Sequence, residues 1–348
     1  MEYELMKMHL YDLNEDETFY RNYYFARQQQ YSLEKFLSEL DMKEIYKRKL
    51  LVLEKPETIP EVFEDSFFFD MTDNKSIIVQ KHNRYSPPIT HSHTFFELLY
   101  VYDGKCTQSI SDVEITLHTG DICIVPPEIR HSISVFDDSI ILNIMIRRDT
   151  LNTLFYSFMT SENALSSFFF NNIYSQRAND YILIHTGSDI QLKEAFLRMY
   201  WENLNKEKYY YETISSTLIL CFYLMIRNYS DSIQMPEFAK KLDVQRYALI
   251  RYIQENYRDI SLQSVADRFH FSPEYTSRLI KEATKMTYTQ IVYRIRMEKS
   301  QELLLHTNMT ISQISEEIGY DTSEHFIRQF KKYNNTTPTN YRRMHMVE

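Results

Sequence analysis

The chain has 348 residues, and 43% of them are hydrophobic, which is enough for folded cores and excludes a disordered tail protein. Its formal net charge of −9 argues at first against a polyanionic partner, but residues 251–348 carry +2 while residues 1–250 carry −11. This length accommodates two or three domains, so we expect an acidic part followed by a mildly basic part.

The cysteines and the apolar stretches indicate the compartment. Cys106, Cys123 and Cys221 form neither an even disulfide set nor a close metal-binding pair, which favours a reducing environment. The N-terminus has no basic-then-apolar leader, and the most apolar run, Thr217–Ile226, is about half a membrane span and is better explained as a buried helix. We expect a cytoplasmic protein without membrane contact.

The first domain boundary falls near residue 65. Residues 1–65 are acidic and contain no recognisable motif, although the stretch SLEKFLSELDMKEIYKRKLLVLE predicts helix. We interpret residues 1–65 as a partly helical extension packed on the following domain, with an arm that contacts a ligand or the last domain as the alternative.

Residues 66–150 differ in character, because short strand-like stretches alternate with turns and predict a small β-domain. Every second side chain of a strand points the same way, so His91, His93, Phe95 and Glu97 share one face. Two imidazoles and a carboxylate on one face suit either a divalent metal ion or a polar ligand.

The spacing His91-x-His93-x-x-x-Glu97, followed by Gly104, resembles the first conserved motif of the cupin barrels. The resemblance implies a cupin-like barrel over residues 66–150. In metal-binding cupins, the equivalents of these three residues and of His131 hold a divalent ion.

The second cupin motif is only partly kept, in Gly120, Pro126 and His131, because Glu128 and Val135 stand where glycine and asparagine are usual. Three roles for the cluster stay open: metal ligation, lining of an effector pocket, and structural hydrogen bonding. We prefer the effector pocket and expect no cofactor. Its candidate residues are His91, His93, Glu97, His131, Arg84, Tyr100 and Tyr102.

Residues 151–235 predict a helical hairpin. Apolar side chains recur on one side of Ile190–Asn205 and of Glu212–Arg227, as in amphipathic helices. Ser230–Met235 then has the composition of a hinge, and we place a linker at residues 236–246 before a last domain at residues 247–348. The first helix of that domain is predicted around Ile250 and Ile253.

Near the C-terminus, Ile311–Lys331 predicts a helix-turn-helix unit. Thr310 can cap a short helix that ends at Gly319, where the missing Cβ permits a tight turn. Thr322 or Ser323 can cap the next helix, whose Phe326 and Phe330 lie one turn apart and face inward.

An earlier copy of the same pattern covers Leu262–Lys281. Ser261 precedes its first helix, His270–Phe271 forms the turn, and Ser272–Pro273 starts the second helix. The residues expected to point inward from that helix are Tyr275, Leu279 and Ile280. A connecting helix of about twenty residues spans about 30 Å, close to the separation of about 34 Å between successive major grooves.

Residues 248–343 resemble the AraC/XylS family of transcriptional regulators, whose signature is similar to ISQISEEIGYDTSEHFIRQFKKYNNTTPTNYR. Two positions depart from it, because Lys285 and Asn335 replace glycines and a lysine adopts the left-handed conformation less readily than asparagine. The resemblance implies base contacts from Glu274, Ser277, Arg278, Ser323, Glu324, Ile327 and Arg328. It implies phosphate contacts from Lys281, Arg294, Arg296, Lys331 and Lys332.

Together these patterns predict an α+β multidomain protein: a cupin-like β-barrel, a helical hairpin and an all-α double helix-turn-helix DNA-binding domain. The resemblance implies a transcriptional regulator, generally an activator, that binds double-stranded DNA and a small-molecule effector such as a carbohydrate. It also implies contact with RNA polymerase and a homodimer formed through the hairpin, although the hairpin has the alternative of only covering the barrel. The alternative function is a metal-dependent cupin enzyme fused to a DNA-binding tail.

Overall fold

The computed structural model describes residues 2–72, 75–111, 113–148, 150–151, 164–174, 181–235, 244–284 and 286–345. The chain divides into an N-terminal unit, Met1–Phe168 with Ala178–Lys240, and a C-terminal unit, Phe169–Arg177 with Lys241–Glu348. Among the described residues, none of the helices combines the length and apolar character that crossing a membrane requires.

The N-terminal unit begins with helices that have clear start signals. The side chain of Asn14 accepts from the backbone N–H of Glu17 and the Glu17 side chain accepts from the Asn14 N–H, which is a capping box. Tyr20 and Tyr23 pack with Ile45 in the core of this layer. The elements are α1 (Glu2–Tyr11), α2 (Glu15–Arg27), α3 (Gln30–Ser38) and α4 (Met42–Lys47).

The barrel consists of two facing sheets, six-stranded and three-stranded, with a small two-stranded parallel sheet (β1 with β3) beside them. Its elements before the hairpin are β1 (Val62–Phe63), α5 (Asp65–Phe68), β2 (Ile77–Lys81), β3 (Ser92–His93), β4 (Phe96–Asp103), β5 (Lys105–Ile110), β6 (Val113–His118), β7 (Asp121–Val125), β8 (His131–Ser134) and β9 (Ile140–Ile146). β4 lies inside the larger sheet, antiparallel to both β7 and β9. Its alternate residues Leu99 and Val101 point into the core between the sheets.

The larger sheet has the order β11-β10-β7-β4-β9-β2 and so includes two strands from after the barrel sequence. The following elements are α6 (Ala164–Tyr174), β10 (Ile182–His185), α7 (Ile190–Asn205), α8 (Tyr210–Tyr229), a 3₁₀ turn (Ser230–Ser232) and β11 (Ile233–Gln234). The predicted hinge at Ser230–Met235 is wrong in part, because β11 pairs with β10 and extends the barrel sheet. Of the predicted linker, residues 236–243 lie outside the described residues.

The C-terminal unit is helical and contains both predicted helix-turn-helix units. Its elements are α9 (Val244–Glu255), α10 (Leu262–Phe269), α11 (Pro273–Thr284), α12 (Tyr288–His306), α13 (Ile311–Glu317), α14 (Ser323–Asn334) and α15 (Pro338–His345). Ser261, Thr310 and Thr322 cap α10, α13 and α14. The two turns contain His270 at φ 57° and Gly319 at φ 78°, both left-handed.

The inward face of α11 and one turn residue differ in how well they match the sequence pattern. Tyr275 is 37% exposed and does not point inward. Thr276 is buried instead, because it lies three and four residues before the buried Leu279 and Ile280 and so shares their helix face. Asn335 has φ 55°, the left-handed conformation expected of it, whereas Lys285 lies outside the described residues.

A buried ion cluster attaches the N-terminal helices to the barrel. The Glu17 carboxylate is fully buried and lies 2.6 Å from Lys81 Nζ and 2.7 Å from Arg84 Nε. Lys81 also donates to the carbonyl oxygens of Leu10 and Asp12, at 3.0 and 2.7 Å. Burial alone would raise the pKa of Glu17, but hydrogen bonds from Arg84 and Lys81 hold it below its usual value.

Replacing Glu17 with Gln leaves two buried cations without their counter-charge. We expect Glu17→Gln to lower the free energy of unfolding of the N-terminal unit by about 3–5 kcal/mol. Urea unfolding monitored by the fluorescence of Trp201, the single tryptophan, measures this unit because Trp201 lies on α7 next to His9. Glu15→Gln is the control, since Glu15 is exposed on the same helix. Equal unfolding midpoints for the two variants would show that the ion cluster is not stabilising.

Candidate functional site

Four side chains of the barrel converge on one carboxylate. Glu97 Oε2 lies 3.0 Å from His131 Nε2 and 3.8 Å from His93 Nε2, and the ligand atoms of these three residues all lie within 4.8 Å of one another. The His91 ring lies 4.4 Å from the His131 ring. Asn143 donates to Glu97 Oε1 at 2.7 Å, which fixes the carboxylate and turns Oε2 toward the imidazoles.

Backbone carbonyls orient two of the imidazoles. His91 Nδ1 lies 2.9 Å from the Ile89 carbonyl oxygen, and His131 Nδ1 lies 3.0 Å from the Ile129 carbonyl oxygen. Because a carbonyl oxygen only accepts, both Nδ1 atoms carry the hydrogen.

His93 has a different environment. Its ring stacks on Phe95 at 4.5 Å, and neither ring nitrogen has a hydrogen-bond partner among the described residues although both are buried. Burial, together with the neighbouring His131 charge, lowers the pKa of His93 to about 3 and that of His91 to about 4. Burial would raise the pKa of Glu97, but the His131 hydrogen bond lowers it to about 2.

These features fit a divalent ion. Neutral imidazoles with free lone pairs, an ionised carboxylate, and histidines held through Nδ1 by carbonyls are the donor set and supporting contacts that metal-binding proteins use. The unpartnered nitrogens of His93 also speak against a purely structural hydrogen-bonding role for that residue, because burying a polar group without a partner costs free energy.

The cluster forms one end of a cavity of about 360 Å³ in the N-terminal unit. The walls also contain aromatic rings and uncharged polar groups from the barrel and from the N-terminal helices. The residues of the wall include Asn14, Asp16, Tyr20, Lys49, Phe63, Phe67, Phe68, Gln80, Lys81, Asn83, Ser86, His91, His93, Phe95, Glu97 and Asn143.

The structure brings only part of the predicted pocket together. His91, His93 and Glu97 line the cavity, and His131 is hydrogen-bonded to Glu97. Tyr100 lies on the opposite side of β4 and stacks on Phe196 of α7, with ring centroids 4.1 Å apart.

Two further residues of the predicted pocket are also placed elsewhere. Tyr102 lies near Tyr100 and under the Lys193 ammonium, and Arg84 pairs with Glu17. The tyrosine prediction is wrong because strand side chains alternate: Tyr100 is three residues from Glu97 and so points to the other face. The Arg84 prediction is wrong because the buried Arg84 guanidinium forms an ion pair with the buried Glu17 carboxylate.

The helix-turn-helix units present the predicted base-contact side chains at the surface. Glu274, Arg278, Glu324, Ile327 and Arg328 are exposed on α11 and α14, and Ser277 and Ser323 are half-buried. The Arg278 guanidinium lies over the Tyr275 ring, 5.1 Å from its centroid. Lys281, Lys331 and Lys332 are also exposed.

Comparison with known proteins matches both regions. A sequence model of the helix-turn-helix domain matches residues 265–344, and a model of the cupin domain matches residues 76–142. The HTH-type transcriptional activator RhaS of Escherichia coli K12 is 23% identical over 254 residues, which are 72% of this chain and 86% of RhaS. The chain combines an AraC-type helix-turn-helix domain with a cupin domain, and its relatives are AraC-family transcriptional regulators. It is a DNA-binding regulator with a cupin domain.

Two other relatives match a smaller share of the chain. The HTH-type transcriptional regulator YtdP of Bacillus subtilis is 33% identical over 84 residues, which are 24% of this chain and 11% of YtdP. The C-terminal domain of AraT, a response regulator from Geobacillus stearothermophilus, is 38% identical, covers 31% of this chain and 91% of its own, and has a TM-score of 0.30.

Two predicted phosphate contacts of the regulator are already engaged within the protein. Arg294 Nε pairs with Glu298 at 2.7 Å on α12. Arg296 donates to the carbonyl oxygens of Tyr257 and Arg258. Nε and Nη2 of Arg296 are thus engaged by backbone acceptors, and Arg294 would first have to leave its ion pair to reach a phosphate.

Two parts of the cavity wall were not predicted from the sequence. Asn143 is the one polar residue within β9, IILNIMI, and this lone amide in an apolar strand was the available signal. Asn14, Asp16 and Tyr20 come from the N-terminal extension, where no sequence pattern indicated a site.

The pKa values predict acid sensitivity of the regulator's N-terminal unit. Above about pH 6.5 the buried neutral histidines impose no protonation cost, but below it the unfolded chain binds protons that the folded chain, with pKa about 3 at His93, does not. From pH 7 to pH 5 each such histidine removes about 2 kcal/mol of stability. Between pH 7 and pH 5, we expect the free energy of unfolding of His93→Phe to fall by about 2 kcal/mol less than that of the native chain. Urea unfolding in EDTA, monitored by Trp201 fluorescence, measures this difference.

The exposed His118 on β6 provides the control for this prediction, and His118→Gln should retain the native pH dependence. An unchanged pH dependence in His93→Phe would mean that His93 is not buried as a neutral ring.

Proposed function

We propose that this AraC-family regulator senses a small molecule in the barrel cavity and thereby changes its DNA binding or its activation of transcription. The observation that carries the proposal is the pair of buried, unpartnered nitrogens of His93 at the end of an accessible cavity. A ligand that forms hydrogen bonds with these nitrogens would offset the free energy that burying them without partners costs. RhaS is named a transcriptional activator, which supports activation as the direction of regulation.

The walls favour an uncharged, hydroxyl-rich ligand such as a carbohydrate. Three charged groups of the wall are in ion pairs: Glu97 with His131, Lys81 with Glu17, and Asp16 with Arg48. The fourth, Lys49, donates to the Phe67 carbonyl oxygen and lies over the Phe67 ring. A charged ligand would have to compete with these ion pairs. The uncharged hydrogen-bonding residues and the aromatic rings offer donors, acceptors and apolar faces to a polyol. They are Asn14, Gln80, Asn83, Ser86, Phe63, Phe67 and Phe68.

A divalent ion is compatible with the same site. His93, Glu97 and His131 would hold it, with His91 beside them. When bound, such an ion would act as a Lewis acid toward an oxygen of the ligand. The relatives are transcriptional regulators, and we propose that the barrel of this chain senses a ligand and does not catalyse a reaction.

Ligand binding can be tested by thermal unfolding of the full chain with a panel of neutral monosaccharides and sugar alcohols. We expect one member to raise the midpoint of the native chain, since a ligand at about 100 times its Kd adds about 2.7 kcal/mol to the stability. His93→Phe should lose this response, while His118→Gln should keep it.

Sugar acids and sugar phosphates are tested in parallel, and a response only to these charged compounds would refute the neutral-ligand class. A panel response that persists in His93→Phe would place the ligand outside this cavity. Repeating the native measurement with EDTA and with Zn²⁺ determines whether an ion takes part, because a required ion makes the response metal-dependent.

We further propose that α11 and α14 bind DNA through the exposed side chains of their outer faces. The proposed base contacts are Glu274, Ser277, Arg278, Ser323, Glu324, Ile327 and Arg328. The proposed phosphate contacts are Lys281, Lys331 and Lys332. Arg278 and Arg328 hold equivalent places in the two units, and an arginine can bind guanine O6 and N7 with two parallel hydrogen bonds.

Arg278→Ala and Arg328→Ala should each relax sequence preference at one base pair, by about 1–3 kcal/mol. Lys331→Ala should weaken binding to all sequences equally. It should also reduce the slope of log affinity against log salt concentration by about 1. Competition binding with selected and randomised duplexes at several salt concentrations measures both effects. If both arginine variants keep the native sequence preference, the assigned helix faces are wrong.

We also propose that the regulator forms a homodimer through α7 and α8 and contacts RNA polymerase. Ile190, Leu204, Leu220 and Tyr223 are exposed apolar residues of these helices, and their burial against a second copy would be favourable. Sedimentation velocity at micromolar concentration tests the dimer, and a monomer there would exclude it.

A further inference from the structure

The turn that follows α9 is a meeting point of the two helix-turn-helix units. Arg296, in the middle of α12, directs its guanidinium at this turn. Its Nε and Nη2 lie 3.1 and 3.0 Å from the Tyr257 carbonyl oxygen, and Nη2 also lies 2.9 Å from the Arg258 carbonyl oxygen. These acceptors come just before the first helix-turn-helix unit, and Arg296 is 38 residues beyond Arg258 in sequence.

The second unit contacts the same carbonyl. A Cβ built on Gly319 would lie 2.1 Å from the Arg258 oxygen, and Gly319 has φ +78°. Any other residue at position 319 would therefore clash with this carbonyl and would also strain the turn. The Arg258 side chain adds an ion pair with Glu317, at 3.3 Å, in the last turn of α13.

The Arg296 guanidinium also lies over the ring of Tyr320, 5.4 Å from its centroid. Tyr320 follows Gly319 in the turn between α13 and α14. One planar group thus binds the backbone next to the first unit through its edge and covers an aromatic ring of the second unit with its face. Lysine cannot do both, because an ammonium ion has neither the fork nor the flat face of a guanidinium.

We propose that Arg296 is a positioning residue for DNA recognition: with Gly319 and the Arg258 carbonyl it sets the angle between the two recognition helices, and it does not bind phosphate. This inference rests on the proposed function, in which α11 and α14 both engage one duplex. When two recognition helices are joined rigidly, binding of the first helix to DNA raises the effective concentration of the second. A looser junction between the two units lowers this effective concentration, while each recognition helix keeps its own DNA contacts.

The experiment uses the full chain and two duplexes. The first is selected by the native protein from a random library of about 30 base pairs, roughly three helical turns. The second is the same duplex with one half of the selected site randomised. The measured quantity is the ratio of the affinities for the two duplexes, together with the dependence of each affinity on salt concentration.

We expect Arg296→Gln to lower the affinity for the two-part duplex about tenfold, the factor that corresponds to one hydrogen bond to a charged group, while the affinity for the half-site duplex stays constant. The salt slope should not change, because no phosphate contact is lost. Arg296→Lys should give an affinity ratio close to that of Arg296→Gln. Gly319→Ala should lower the affinity ratio in the same way. In the variant that carries both substitutions, the ratio should fall by less than the two single effects combined, because both substitutions act at the Arg258 carbonyl.

Arg268→Gln is the matched control, since Arg268 is exposed on α10 and should leave both affinities unchanged. All affinities are measured below the thermal midpoint of each variant, so that a loss of folding does not enter the ratio.

Three results would overturn the inference. A salt slope that falls by about 1 in Arg296→Gln would make Arg296 a phosphate contact. An equal loss on both duplexes would make its role one of stability alone. A ratio that changes in Arg296→Gln but not in Gly319→Ala would remove the shared carbonyl as the cause. A native chain that binds both duplexes equally is a different failure, because it refutes the proposed use of both recognition helices.

Discussion

The alternation of side chains along β4 is the constraint on which the N-terminal unit depends. Glu97, Leu99 and Val101 point to the interior of the barrel, and the last two belong to its apolar core. Tyr100 points to the other face, where it stacks on Phe196. One strand thus supplies both the carboxylate of the candidate site and the surface on which α7 packs, and a register slip of one residue would exchange the two.

The same alternation explains how far the sequence could predict the site. His91, His93 and Glu97 lie at even spacing, so their shared face followed from strand geometry alone, and the structure has them together. Tyr100 lies at odd spacing from Glu97, and the same geometry places it on the opposite face. Helix starts at Ser261 and Thr310 were predictable because a cap is a local interaction spanning three residues.

Contacts between residues distant in sequence were not predictable in this way. Glu17 and Arg84 are 67 positions apart, and each alone is an ordinary charged residue that favours a solvated surface. Only the fold shows that both are buried, and burial makes their pairing necessary, since an isolated charge in the interior is costly. Because Asn14, Asp16 and Tyr20 line the cavity close to Glu17, the ion cluster also keeps one wall of the cavity in place.

Backbone carbonyls act as fixed acceptors at both candidate sites. Ile89 and Ile129 hold His91 and His131 through Nδ1, and Tyr257 and Arg258 hold Arg296. A carbonyl in a folded chain has almost no freedom to turn away, whereas a side-chain acceptor has several rotamers, so an imidazole or guanidinium bound to backbone loses less orientation to thermal motion. In the barrel this leaves Nε2 of two histidines directed at the Glu97 cluster. In the DNA-binding unit such carbonyls occupy Arg296, one of the two arginines that the family resemblance had assigned to phosphate, and we propose that this residue sets the geometry that DNA contact requires.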